Sequence, residues 1–454
     1  MERAQATRPR RGDELELHID RLAFGGAGVA RTDGYVVFVR DAVPGDRVRA
    51  RVTKSRRSFA EADSVELIEP SAERVEAVAP HPGAPWQVLP YERQLAEKEA
   101  QVRDALERLG GFERPPVEAI VPADQRLGYR NKLEYSFGTD ADGDLVLGFH
   151  RRGRFDVIDD VAHDILASES VDALREAVKA WCREEGLSAW DRRGQTGLLR
   201  NLVVREGRRT GQLQARLVTS PGGAFRAAEL AAATPADSVL WTRAASVAET
   251  TRDGDTERVK GPVALEEKLC GLTFRISPDA FFQTNTEMAE RLYGSAVELA
   301  GLSGRERVID LFCGIGTIAL VLALDAGEVW GVELVEQAVA DAIENARLNG
   351  VDNARFYAGD VRLAMRPLLE QAGKPDVVVV DPPRAGLSQK VVRRVLEAGA
   401  RRIVYVSCNP TTLAPNARQM ADGGYELRTV RPVDMFPQTP HIECVALLER
   451  PAQA

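Results

Sequence analysis

Four short stretches of the chain carry residue types able to do chemistry, and each closes or opens an apolar run. Val308-Ile309-Asp310-Leu311 leads into Phe312-Cys313-Gly314-Ile315-Gly316-Thr317-Ile318-Ala319, a glycine-rich turn that lets a ligand lie against bare backbone at a helix start. Glu333 closes the next apolar run, where a carboxylate can hydrogen-bond a ribose diol. Both nicotinamide dinucleotides and S-adenosylmethionine contain an adenosine ribose, so at this point either cofactor fits.

Two further run ends narrow the choice. Val377 to Val380 ends in Asp381-Pro382-Pro383-Arg384, where paired prolines fix an extended rim and leave carbonyls free to accept from a planar base. A plain strand-to-turn transition is the competing account. Ile403 to Val406 delivers Ser407-Cys408-Asn409-Pro410. A cysteine there is more often buried filler than a nucleophile, but this one follows a strand at the same sheet edge as Asp310, Glu333 and Asp381, so thiol, donor and substrate can share one crevice. Last, His441-Ile442-Glu443 puts a carboxylate at the entry of an apolar strand. Such a group is costly unless paired or functional, and beside a nucleophilic thiol it makes a usable base.

The elements that must position these groups follow from periodicity. From about Ala289 helices and strands alternate: strands at 308–311, 328–333, 354–357 and 376–380 interleave with helices from Thr317 and over 337–349. That spacing predicts a doubly wound, Rossmann-like α/β sheet, with 402–406, 426–433 and 443–448 expected to close an antiparallel edge. Before it, strands at 132–138, 145–149, 199–205 and 212–219 mix with helices near 171–185 and 223–233, an α+β arrangement. Leu95, Val102, Leu106 and Leu109 share one face of a helix expected over 92–109, ended by Gly110-Gly111. Residues 14–19, 35–40 and 47–53, punctuated by glycine turns, read as a small β-barrel with Lys54, Arg56 and Arg57 facing solvent. We therefore expect three domains: residues 1–75, an OB-like barrel; 76–280, α+β; 281–454, Rossmann-like.

Net charge over 454 residues is −8, yet residues 1–60 carry 13 Lys and Arg against 8 Asp and Glu, so a basic module precedes an acidic body. That distribution permits a polyanionic partner. The five cysteines (Cys182, Cys270, Cys313, Cys408, Cys444) form no C-x-x-C pair, and the five histidines show no ligand spacing; we expect neither disulfides nor a metal. No run reaches the ~18 to 20 apolar residues of a membrane span, and Met1-Glu2-Arg3-Ala4 leads into Arg-Pro-Arg-Arg rather than an apolar signal core. A cytoplasmic monomer without membrane or obligate protein partner is expected.

Taken in order, Phe-Phe-Gln-Thr-Asn (281–285), Asp-Leu-Phe-Cys-Gly (310–314), Asp-Pro-Pro-Arg-Ala-Gly (381–386), Val-Ser-Cys-Asn-Pro (406–410) and His-Ile-Glu (441–443) resemble the motifs of the RNA uracil-5-methyltransferase family. The resemblance covers nearly the whole chain. Gly25 to Ala30, Val37 to Val39 and Pro44-Gly45-Asp46 are similar to the TRAM domain, an OB-like RNA-binding module. The resemblance implies S-adenosylmethionine as methyl donor, Cys408 as nucleophile at uracil carbon 6 and Glu443 as the base that removes the carbon 5 proton. It further implies that Gln283, Phe312, Glu333 and Asp381 contact S-adenosylmethionine or the active site and that Arg130 and Lys132 contact RNA; we separately expect Phe281 or Phe282 to stack on a base. The target would be a uridine flipped from a structured RNA loop, in ribosomal RNA rather than the T-loop of transfer RNA given the TRAM-like module.

One departure stands out. Many TRAM-bearing relatives hold an iron-sulfur cluster on four cysteines, but here the corresponding segment reads Ala79, then Pro82-Gly83-Ala84-Pro85, and no cysteine lies near His163. No cluster is expected. Three readings compete with uracil methylation: a nicotinamide oxidoreductase, from the glycine turn; a methyltransferase acting on a base amino group, which needs the Asp-Pro-Pro rim and no thiol; and a non-catalytic RNA-binding protein.

Overall fold

The computed structural model describes residues 8–151, 153–222, 225–246, 251 and 254–451. The Met1 to Ala4 reading and residues 223–224 of the expected helix lie outside these residues; the helix is Ala227–Ala233. Three large sheets follow one another along the chain. In the first, six strands run in the order Glu14–His18, Arg47–Ser55, Phe59–Glu69, Tyr35–Arg40, Gly28–Thr32, Arg21–Leu22. Alternation sends Val37, Val39, Val48, Ala50, Val52, Ala60 and Ala62 inward, small side chains that suit a tightly coiled sheet. Asp46 pins the Pro44-Gly45 turn: buried, it accepts from Val43 N at 2.8 Å and Ser71 N at 2.9 Å, and takes a two-pronged Arg74 at 2.7 Å. Arg47, Arg49 and Arg51 are taken up in ion pairs with neighbouring glutamates, whereas Arg56 and Arg57 face solvent at a strand-joining turn.

The middle sheet has seven strands in the order Asp255–Lys260, Ser238–Arg243, Leu213–Thr219, Leu199–Glu206, Lys132–Thr139, Leu145–Arg151, Arg154–Asp160. The helix Glu169–Glu184, capped by the Ser168 hydroxyl accepting from Val171 N at 3.2 Å, covers one face. Without cysteines, the segment 78–87 is folded by side-chain-to-backbone bonds. The Gln87 carboxamide accepts from Val78 N and Ala79 N and donates to Ala79 O. Gly83 N donates to His81 Nδ1 at 3.0 Å, so Nε2 carries the proton toward buried Asp164, 2.9 Å away, which also accepts from Tyr135. These residues offer no thiolate to a cluster.

The third sheet orders its strands Ala354–Ala358, Glu328–Glu333, Arg307–Leu311, Val377–Val380, Arg402–Ser407, Glu443–Glu449, Glu426–Val433. Five are parallel, and Val377–Val380 is buried throughout, as expected for a strand covered on both faces. The expected antiparallel edge is formed by Arg402–Ser407, Glu443–Glu449 and Glu426–Val433, and Arg402–Ser407 also pairs parallel with Val377–Val380 on its other side. The reason is the helix Gln389–Ala398, whose crossover returns the chain in the parallel sense.

Two segments outside the third sheet join its core. The helix Tyr91–Arg108 packs Val102, Ala105 and Leu106 against it, while Leu109, expected on the same face, falls at the helix end and is 55% exposed. The hairpin Leu265–Leu269 and Leu272–Ile276 buries Leu269, Phe274 and Ile276 there and receives Asn345 and Asn349 on its Arg275 and Thr273 amides, both at 2.8 Å. Among the described residues no helix is long and apolar enough to cross a membrane, and no group of three or more His, Cys, Asp or Glu could hold a metal ion.

Candidate active site

The carboxyl ends of Arg307–Leu311, Glu328–Glu333, Val377–Val380 and Arg402–Ser407 lie side by side. At the first, Phe312 adopts φ 67°, a left-handed conformation that costs a non-glycine residue roughly 1 to 3 kcal/mol. It is held by its amide donating to Val332 O at 2.8 Å. Gly314 and Gly316 continue the turn at φ 55° and 83° before helix Thr317–Ala323. A Cβ at Gly316 would meet Ala342 and the Phe356 ring at 3.1 Å. Glu333 braces this turn, accepting from Gly314 N at 3.2 Å and Val335 N at 2.9 Å.

The crevice is acid-rich. Asp310 is fully buried, neither carboxylate oxygen has a partner of good hydrogen-bond geometry, and desolvation followed by the charge of Asp381 pushes its pKa well up, offset in part by the Ala319 amide. Asp381, partly covered at its surface but ringed by protein, is pushed by desolvation up to about 7. Glu443 is 5% exposed, and desolvation and then Asp381 raise it strongly while Arg384 pulls the other way. The buried Tyr293 hydroxyl, 3.3 Å from Thr317 Oγ1, is raised by desolvation and by Asp381, Glu443 and Asp310. A site with this surplus of carboxyl groups suits a cationic ligand, whose charge favours their ionised forms.

Cys408 leaves one strand where Glu443 enters another. Ser407 pairs with Cys444 across the antiparallel ladder, so the two functional side chains sit at the same end. Desolvation, then Glu443 and Asp381, pushes the half-buried Cys408 thiol up to about 11; Arg384 opposes this. Asn409 ties the two loops, donating from Nδ2 to Arg384 O at 3.0 Å and accepting from Thr411 N at 3.0 Å. Arg384 Nη2 in turn donates to His441 Nδ1 at 3.0 Å. Desolvation and the cations Arg384, Lys98 and Arg130 hold His441 near 4, so the ring is neutral and presents Nε2–H.

Of the other residues singled out from sequence, Gln283 is buried, its backbone carbonyl accepting from Asn131 Nδ2 at 3.0 Å, and its carboxamide makes no hydrogen bond among the described residues. Arg130 stands close enough to influence His441, whereas Lys132 is turned to Glu134 at 2.5 Å. Phe281 is 64% exposed and available for stacking; Phe282 is buried against Phe274, 6.2 Å between centroids, and cannot stack on a base. Sequence reasoning quoted Arg384 and Asn409 without giving them roles. It missed Tyr293 and the Asp434–Lys98 pair, since nothing in a heptad or strand pattern announces a partner 336 residues away.

The donor set discriminates between the two adenosine cofactors. A dinucleotide would bring an anionic pyrophosphate to a crevice where the carboxyls of Asp310, Asp381 and Glu333 act on one another and would repel it. A sulfonium and an α-ammonium complement the same carboxylates. Together with a seven-stranded sheet in which Glu443–Glu449 alone runs against the other six strands, this defines the class of Rossmann-like methyltransferases.

The comparisons agree. Residues 254–451 match the model of the tRNA (uracil-5-)-methyltransferase family, and residues 8–65 the TRAM domain. An uncharacterized RNA methyltransferase of Gloeobacter violaceus is 39% identical, with 97% of each chain covered; one from Porphyromonas gingivalis is 40% identical, covering 96% of this chain and 99% of its own. The crystal structure of Pyrococcus abyssi tRNA (uracil-54, C5)-methyltransferase in complex with S-adenosyl-L-homocysteine superposes with a TM-score of 0.79 at 30% identity, over 96% of this chain and all of that one. The chain belongs to the RNA uracil-5-methyltransferase family, with an N-terminal TRAM domain.

Proposed function

We propose that this RNA methyltransferase forms 5-methyluridine through a covalent adduct between Cys408 and carbon 6 of the target uracil. S-adenosylmethionine supplies a methyl group made electrophilic by its sulfonium. Carbon 5 of uracil is a weak nucleophile, so Cys408, having lost its proton to solvent, first adds as the thiolate to carbon 6, converting carbon 5 into an enolate-type carbanion that accepts the methyl. Glu443 then takes the remaining carbon 5 proton, the electrons of that C–H bond restore the ring double bond, and the thiolate leaves. Asp310, Glu333 and Asp381 hold the cationic donor; Gln283 has donor and acceptor atoms free for the uracil edge or the donor, and Phe281 for stacking. The observation that carries the reading is the meeting of Cys408, Glu443 and Asp381 at one sheet edge, where Ser407 lies opposite Cys444 and both carboxyls act on the Cys408 thiol.

The resting charge state fits an ordered start. With the thiol raised to about 11 and Glu443 raised by burial and Asp381, the empty site favours the protonated forms of both groups; a bound cation favours the ionised forms. RNA containing 5-fluorouridine tests the chemistry, because fluorine cannot leave as a proton. Wild type traps a stable adduct and Cys408→Ala does not; equal behaviour of the two rejects the nucleophile.

Ribosomal RNA is the proposed substrate, read by the TRAM module through phosphate contacts. Transfer RNA is the second reading, favoured by the substrate of the Pyrococcus abyssi relative. Mapping 5-methyluridine in ribosomal and transfer RNA from a deletion strain separates them: the fraction that loses the modification is the substrate.

A further inference from the structure

The loop 434–442 connects Glu426–Val433 to Glu443–Glu449, and it is gripped at every residue from 434 to 438 by side chains or backbone outside the third sheet. Lys98 Nζ donates to Asp434 Oδ1 at 2.5 Å and to Phe436 O at 3.0 Å; the Tyr91 hydroxyl donates to Asp434 Oδ2 at 2.7 Å. Asn285 Nδ2 donates to Met435 O, and the Tyr129 hydroxyl to Pro437 O, each at 3.0 Å. Gln94 and Gln438 exchange bonds, Gln94 Nε2 to Gln438 Oε1 at 2.7 Å and Gln438 N to Gln94 Oε1 at 2.9 Å, and Trp86 N donates to Gln438 O at 2.9 Å. Gln438 is held at φ 66°. Connecting two antiparallel strands needs none of this.

Lys98 and Asp434 are both fully buried. A buried ion pair is a poor stabiliser compared with apolar residues of similar volume, and its best-attested use is to specify position. The position specified here is informative: Val433 lies directly opposite Glu443 in the ladder, so the clamp begins one residue beyond the partner of Glu443. Ile442, on the other side, is sealed in the core.

We propose that the Lys98–Asp434 pair, with the Gln94–Gln438 amide pair beside it, is a positioning device that aims the Glu443 carboxylate at the carbon 5 proton. The inference rests on the reading of Glu443 as the base. Neither pair touches substrate; they fix the loop from the helix Tyr91–Arg108 so that the proton on carbon 5 finds an aligned acceptor once the methyl has been delivered.

The test follows the proton on RNA carrying tritium at carbon 5 of uridine. Removing one charge alone strands the other, so the variant is the double Lys98→Met/Asp434→Leu, which removes both; Gln94→Met is the second variant should the first not fold. In a folded variant, S-adenosylmethionine binding and the 5-fluorouridine adduct persist, because they do not need the base, while tritium release slows by about ten-fold or more, the size of effect a small misplacement produces. Release at the wild-type rate from both variants overturns the positioning role. Glu443→Gln run alongside separates the two levels: slow release from it with normal release from the clamp variants rejects the clamp alone, and normal release from Glu443→Gln rejects the base reading and the clamp with it.

Discussion

The carboxylate of Glu333 reaches across from one parallel strand to the Gly314 amide of the next, 3.2 Å away, while its other oxygen accepts from Val335 N. One side chain thereby sets the shape of the glycine turn and keeps acceptor capacity for a ribose. Glu333→Ala removes both, and loss of charge-assisted hydrogen bonds of ~1.5 to 3 kcal/mol corresponds to roughly ten- to hundred-fold weaker S-adenosylmethionine binding. Calorimetric titration measures it; an unchanged Kd would remove Glu333 from the cofactor site.

Donor binding strengthens with pH. Asp381 ionises near 7, adding a negative charge to the crevice, so the Kd of S-adenosylmethionine falls several-fold between about pH 6 and about pH 8. S-adenosylhomocysteine, whose sulfur is uncharged, shows a shallower profile; parallel profiles would refute the charge argument. Stability of the ligand-free protein runs the other way. A carboxyl raised on folding contributes most below its unfolded value of 3.8 and loses that contribution as pH climbs to about 7. Asp381→Asn flattens this slope in a thermal melt series.

Cys408 in the empty enzyme is a slow thiol. With its ionisation pushed up to about 11, alkylation by iodoacetamide gains about ten-fold per pH unit across the neutral range. Glu443→Gln, which deletes the largest charge opposing the thiolate, speeds the reaction at pH 8. Mass spectrometry of the 402–418 peptide gives the rate, and a plateau below pH 8 contradicts the assignment.

Gly331 sits where a Cβ would come within 2.5 Å of the Phe356 ring and 2.9 Å of Cys313 Sγ. Gly331→Ala overpacks the wall behind the glycine turn and costs ~1 to 3 kcal/mol, visible as a lower midpoint for the unfolding of the C-terminal part. No loss of stability would mean that the wall yields.

The RNA contribution of the first sheet is read from salt dependence. Arg56→Ala with Arg57→Ala removes two solvent-facing cations, and if both meet phosphates the slope of log affinity against log salt becomes shallower by about 1.4 to 1.8. Filter binding over a salt series measures it; an identical slope places the RNA elsewhere.

The Rossmann-like sheet was legible because its strands are apolar runs that end in chemistry: Asp310, Glu333, Asp381 and Cys408 each mark a strand end by type alone. The sense of Arg402–Ser407 was not, since an apolar strand reads the same in either direction and the crossover helix decides. Phe281 and Phe282 were indistinguishable in sequence; only the Phe274 side chain, contributed by the hairpin, separates the exposed ring from the buried one. Charge was misleading in a different way. The basic surplus of residues 1–60 is real, but cross-strand pairing with Glu14, Glu16, Glu66 and Glu69 absorbs several of its arginines. The Asp434 clamp was invisible because its partners come from 86–98, 129 and 285.

The strand Glu443–Glu449 lies between Arg402–Ser407 and Glu426–Val433, so the latest-synthesised of the three fills the middle. Until it arrives, its neighbours present unpaired backbone to any passing edge. The RNA-binding module, some hundreds of residues upstream, emerges from the ribosome far earlier at roughly 5 to 20 residues per second. The N-terminal module is thus outside the ribosome for roughly tens of seconds before the strand that completes the sheet of the active site arrives.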